Sequence, residues 1–101
     1  MVTLIRRVDL NGVDKRKVAQ EWSKKVARYV DGRFGFSKVE CGVEMYGYTG
    51  RFYWIGRQAS LESLAKGALE ALTDETYQGM LDEAAQLFVP GSVADTVIVG
   101  I

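Results

Sequence analysis

Residues 36–57, FSKVECGVEMYGYTGRFYWIGR, restrict the chain's options more than any other stretch. Two runs rich in strand-favouring residues flank Thr49-Gly50 there, and glycine supplies the positive φ of a two-residue turn. The stretch therefore predicts a long β-hairpin in which Tyr48 pairs with Arg51. That register sets Gly47 against Phe52, Met45 against Trp54, Val43 against Gly56, Tyr46 against Tyr53, Glu44 against Ile55 and Gly42 against Arg57. Opposed residues share a face, and side chains alternate along each strand. One face then carries Val39, Cys41, Val43, Met45, Phe52 and Trp54, an apolar, core-type surface. The other carries Lys38, Glu40, Glu44, Tyr46, Tyr53, Ile55 and Arg57, in which aromatic rings mix with charges.

Around the hairpin the pattern is regular. Residues 2–10 alternate as a strand, with Val2, Leu4, Val8 and Leu10 on one face and Thr3, Ile5, Arg7 and Asp9 on the other. Arg6 interrupts the apolar face and marks its solvated end. Asp14 is placed to cap a helix over 14–31, whose stripe is Val18, Trp22, Val26, Tyr29 and Val30. Ser60 caps a second helical run holding Leu61, Leu64, Ala65, Ala68, Leu69 and Leu72. Asp74 can cap a continuation through Tyr77, Met80, Leu81, Ala84, Ala85 and Phe88, as one kinked helix or two. Pro90-Gly91 stops it, and residues 97–101 close the chain as a short strand. The order β-α-β-β-α-β specifies an α+β, ferredoxin-like domain over residues 1–101: a four-stranded antiparallel sheet with helices on one face.

Helices on one side leave the other uncovered, and that side bears Ile5, Tyr46, Tyr53, Ile55 and Ile98. Monomers rarely expose so large an apolar patch. Burying several hundred Å² per subunit contributes on the order of 10 kcal/mol gross at about 25 cal/mol per Å². The expectation is a two-fold homodimer joined sheet to sheet.

Composition excludes several chemistries. The chain has no histidine, so the commonest general base, metal ligand and haem ligand are missing. One cysteine permits no internal disulfide, and Cys41 on the apolar face reads as an inert core thiol. No metal or other cofactor is expected. Ten Lys and Arg against four Asp and Glu in residues 1–38 give +6, and three against nine in residues 39–101 give −6. With a net charge of zero and pI near 6.2, complementary helices fit this asymmetry better than a nucleic-acid partner. No apolar run approaches the roughly 20 residues of a membrane span, and a cytoplasmic location is the default.

With this order in place, the chain resembles the dimeric α+β-barrel superfamily, and within it the NIPSNAP-like branch. The resemblance lies in TGRFYWI at 49–55, Ala59-Ser60-Leu61, Asp74-Glu75-Thr76-Tyr77 and LFVPGSVADT at 87–96. It implies a homodimer whose sheets form a barrel, with a pocket between each sheet and its helices or inside the barrel. The superfamily includes cofactor-independent monooxygenases, aromatic polyketide cyclases and haem-degrading enzymes. The absence of histidine separates this chain from the haem- and histidine-dependent members, and the branch supplies no catalytic motif to carry over.

Two functional classes follow. In one, the protein binds or transforms a small aromatic or carbonyl compound without metal or haem, as an oxygenase- or cyclase-like protein. Arg7, Glu40, Glu44, Tyr46, Tyr53 and Arg57 then line the site, with Glu44 as the candidate base and Arg57 as an anion clamp. In the other, the protein is a non-catalytic dimeric interaction module and the same residues form an interface network. A ligand site requires a cavity of at least ~300 Å³. Glu40 and Glu44, about 13 Å apart along a strand, are too far apart for a glycosidase pair. Trp54 and Asn11 are further candidates beside an activated substrate. None of the glycines forms a phosphate-binding fingerprint.

Overall fold

The computed structural model describes residues 1–47 and 49–101. Strand β1 (Val2–Asp9) leads through a short 3-10 turn (Val13–Lys15) into helix α1 (Arg16–Val30). Strands β2 (Lys38–Val43) and β3 (Arg51–Gln58) follow, then helices α2 (Leu61–Thr73) and α3 (Glu75–Glu83), and finally strand β4 (Ala94–Val99). The sheet order is β2-β3-β1-β4 with every pairing antiparallel, which is the ferredoxin-like arrangement expected from the sequence.

The hairpin register differs from the prediction. Val43 lies opposite Phe52, Cys41 opposite Trp54, and Val39 opposite Gly56. Each β3 residue therefore pairs four positions earlier in β2 than the two-residue turn requires. The ladder ends at Val43, after which the Glu44 amide still donates to the Arg51 carbonyl at 2.9 Å. Tyr48, expected opposite Arg51, lies outside the described residues. The slip is even, so alternation preserves the faces: Val39, Cys41, Val43, Phe52 and Trp54 all point toward the helices. The assignments of Met45 to Trp54, Tyr46 to Tyr53 and Glu44 to Ile55 do not hold. Tyr46 lies beyond the strand and is 86% exposed.

The helix-facing side of the sheet holds the core. Val8, Phe52, Trp22, Val26, Met80, Ala84 and Phe88 are buried together, with Trp54 packed against them. Phe88 meets Phe52, Trp22 and Trp54 edge-on at centroid distances of 5.6, 5.5 and 6.0 Å, the geometry that aromatic quadrupoles favour. Asp14 sits in the 3-10 turn and does not cap α1, which starts at Arg16 without a side-chain cap. Ser60 and Asp74 do cap, accepting from the amides of Ser63 and Tyr77, so the second run is two helices.

The apolar stripe expected to seat α2 is only partly used. Leu64 is half-buried, whereas Leu61, Leu69 and Leu72 remain exposed. Polar bonds hold this helix instead. Gln58 is buried; its amide donates to the Phe34 carbonyl at 2.7 Å, and its carbonyl accepts from the Ser63 hydroxyl. Gly67, also buried, lets the Phe34 carbonyl come so close to α2 that a Cβ there would overlap it. The charge asymmetry is expressed in part as the Lys25–Glu83 pair at 3.0 Å between α1 and α3.

Candidate functional site

Between the sheet and helices α1 and α3 lies a cavity of about 370 Å³. Its walls are largely apolar because alternation sends Leu4, Val8, Val39 and Trp54 from the strands toward the helices. There they meet Trp22 and Val26 of α1, Leu81 of α3, and Ala84, Ala85 and Phe88 after it. Gly56 adds no side chain, and the wall is completed there by Phe36. Both indole N–H groups are already committed: Trp22 donates to the Met80 carbonyl at 2.8 Å and Trp54 to the Ser23 carbonyl at 3.4 Å. The rings stand edge-on to each other, 5.8 Å between centroids. Two aromatic walls are thereby fixed with no polar group turned inward.

One end of the cavity is polar. Arg6, on the same strand face as Leu4 and Val8, is the single charged residue among the described residues that line it. Its guanidinium is bound in a fork, with Nε and Nη2 each 2.8 Å from a different oxygen of Asp95 on β4. The sequence pattern placed Arg6 where the apolar face gives out. The core continues past it to the buried Val8, while Arg6 itself stays half-exposed and is paired there by Asp95, its opposite in the β1–β4 register. Those bonds to Asp95 hold the Arg6 pKa above its ordinary value against the opposing effect of burial, and the nearby Tyr77 adds a smaller contribution. Tyr77 also lines the cavity.

The six residues singled out from sequence lie elsewhere, and none lines this cavity. Arg7, Tyr53, Ile55 and Arg57 are on the opposite sheet face with Glu40. Arg7 is level with Tyr53, whose hydroxyl donates to the Glu44 carboxylate. That bond raises the Tyr53 pKa by favouring the protonated phenol. Arg51 donates to Asp9 at 3.0 Å on the same face. The structure thus gathers Arg7, Tyr53 and Glu44 at one end of the open face. Glu40 and Arg57 sit further along it, Glu40 with Lys38 at 3.6 Å, and Tyr46 stands apart in the β2–β3 connection.

Asn11 is bonded to the residues before Phe88, its amide to the Leu87 carbonyl, and is not at the cavity. Cys41 is half-buried on the helix side, and desolvation raises its pKa, as suits an unreactive thiol. Among the described residues no cluster of three His, Cys, Asp or Glu is arranged to hold a metal ion, and no helix is long and apolar enough to cross a membrane. Trp22 and Trp54 read from the sequence as core residues. They are core residues, and at the same time they wall a space that residue spacing could not reveal.

No protein-family model matches the sequence, nor does any curated protein. Solved structures do match in fold. A Nitrosomonas europaea protein, provisionally named an antibiotic biosynthesis monooxygenase, superposes with a TM-score of 0.76 at 14% identity, over 100% of this chain and 99% of its own. An uncharacterised NIPSNAP domain protein from Burkholderia xenovorans gives 0.75 at 10% identity, covering 100% and 95%. A NIPSNAP family protein from Agrobacterium tumefaciens gives 0.73 at 14%, covering 99% and 92%. The NIPSNAP resemblance seen in the sequence thus meets NIPSNAP proteins among the structural neighbours. The chain has the ferredoxin-like α+β fold that these two groups of proteins share.

Proposed function

We propose that this protein binds a small aromatic or carbonyl-bearing molecule in the cavity between its sheet and helices, as one half of a sheet-to-sheet homodimer. The observation that carries the reading is the cavity itself. At about 370 Å³ it lies within the size range of ligand sites, and it combines fixed aromatic walls with one polar end. Arg7, Glu40, Glu44, Tyr46, Tyr53 and Arg57 then belong to the dimer interface. Support for the dimer is the uncovered sheet face, where Ile55 and Ile98 stay 38% and 51% exposed in the single chain.

A catalytic version of this reading, an oxygenase- or cyclase-like conversion needing neither metal nor haem, would have to work without a base among the described cavity-lining residues. Arg6 and Tyr77 are the ionisable ones. One is a guanidinium bound to Asp95 and the other a phenol, and with no carboxylate or imidazole among the described lining residues the geometry favours binding over proton abstraction.

Titration with 2-acetylnaphthalene, followed by the two indole N–H signals, tests the site. Both signals should shift saturably. Ala85→Trp, which extends an exposed lining residue across the cavity, should abolish the shifts in a folded protein. Unmoved indoles at millimolar probe, or unimpaired binding by Ala85→Trp, would contradict the assignment.

A further inference from the structure

We infer that the Arg6–Asp95 pair makes the cavity selective for neutral ligands bearing a hydrogen-bond acceptor, and that Asp95 is the residue that excludes carboxylates. The inference rests on the proposed cavity site and specifies its ligand class.

An isolated arginine at the end of an apolar cavity would favour an anionic ligand, because a guanidinium and a carboxylate match as a bidentate pair. Here that fork is already filled. Nε and Nη2 both bond Asp95 at 2.8 Å, and the two residues face each other across the β1–β4 ladder, so the pairing is set by strand register. The pair carries no net charge. A carboxylate entering the cavity would lose its hydration and find no uncompensated cation. Taking the filled fork would require breaking both bonds and leaving Asp95 without its partner, and using the remaining donors would set the carboxylate against the Asp95 charge on a guanidinium already neutralised.

A ketone, aldehyde or ester carbonyl meets none of these costs. A guanidinium has five N–H donors, of which Asp95 occupies two, and a neutral acceptor needs just one. Tyr77, the other polar residue lining the cavity, can donate its hydroxyl proton to the same acceptor. Both tryptophan N–H groups are bonded to backbone carbonyls and offer nothing to a ligand. The polar end is therefore one of donors with their charge cancelled, and the body of the site is apolar.

Two probes with the same bicyclic body separate the alternatives: 2-acetylnaphthalene and 2-naphthoate, titrated near neutral pH into the full chain and into Asp95→Asn and Asp95→Glu. The wild type should bind the ketone at least about tenfold more tightly than the acid. Asp95→Asn leaves the arginine charge uncompensated and should move the affinity ratio at least about tenfold toward the acid, while ketone binding changes less than about threefold. Asp95→Glu restores the compensating charge and should retain a preference for the ketone. Equal or tighter binding of 2-naphthoate by the wild type would overturn the inference, as would a ratio unmoved in Asp95→Asn, while leaving the cavity as a ligand site. If neither probe shifts either indole, the cavity assignment itself fails and the inference with it.

Discussion

Arg6 and Asp95 sit directly across from each other on neighbouring strands and bond through two parallel contacts of 2.8 Å, at the end of a cavity whose described walls are, Tyr77 apart, largely apolar. Their side chains are 41% and 37% exposed, so solvent screens the pair and its contribution to folding is small. Asp95→Asn should cost less than about 1 kcal/mol in urea unfolding. A larger loss would mean that the pair is structural, and changes in ligand preference could then be no more than a by-product of misfolding.

Gly67 sits where α2 presses on the loop before β2. A methyl group at this position would overlap the Phe34 carbonyl and crowd the Gln58 amide that binds it. Backbone cannot move aside as a flexible side chain can. Gly67→Ala should therefore destabilise the fold by about 2–3 kcal/mol, although alanine is the better helix former. Unchanged or increased stability in chemical denaturation would refute this close approach.

Asp74 accepts the Tyr77 amide at 2.7 Å and the Tyr29 hydroxyl at 2.9 Å. The Tyr77 amide bond is the main cause of its pKa falling below the ordinary carboxyl value, with Tyr29 contributing and Arg33 adding attraction. A carboxylate depressed in the folded state stabilises above its unfolded pKa, and that stabilisation is lost as pH falls through the folded value. Melting temperature should thus fall on acidification below about pH 4, and Asp74→Asn, which keeps a capping oxygen, should flatten that part of the profile. Parallel profiles for the two proteins would show that Asp74 does not carry the effect.

The strand faces were legible in the sequence even though the register was not. Alternation assigned Cys41, Phe52 and Trp54 to the helix side, and a slip of four positions leaves that assignment intact. The slip arose because Thr49-Gly50 carries the chemistry of a two-residue turn, whereas the ladder ends at Val43. Nothing local announces that; the Gly50 carbonyl is instead occupied by the Leu10 amide at 2.7 Å. Ser60 and Asp74 acted as caps because each is followed by a helical run of its own. The leucines of α2 misled: Leu69 and Leu72 have helical spacing, but the helix is seated by Gln58, Ser63 and Gly67. Arg6 looked like a strand's wet end because Asp95, its partner, is 89 residues away. A cavity is the volume left after packing, and no spacing rule encodes it.

The open sheet face gives a prediction independent of the ligand. Ile55 projects from the centre of that face, between Ile5 on β1 and Glu40 on β2. Under the proposed dimer, sedimentation of the wild type at micromolar concentration should give twice the 11.2 kDa chain mass, and Ile55→Lys should yield folded monomer. A wild type that sediments as a stable, soluble monomer would remove the dimer from the account.

Where a ligand sits is decided most directly by a crystal structure of the protein soaked with 2-acetylnaphthalene. The account predicts electron density for the bicyclic ring against Trp22 and Trp54 on the helix side of the sheet, with the carbonyl toward Arg6 and Tyr77. Density on the opposite face, beside Arg7, Tyr53 and Glu44, or a cavity without ligand under saturating probe, would contradict it.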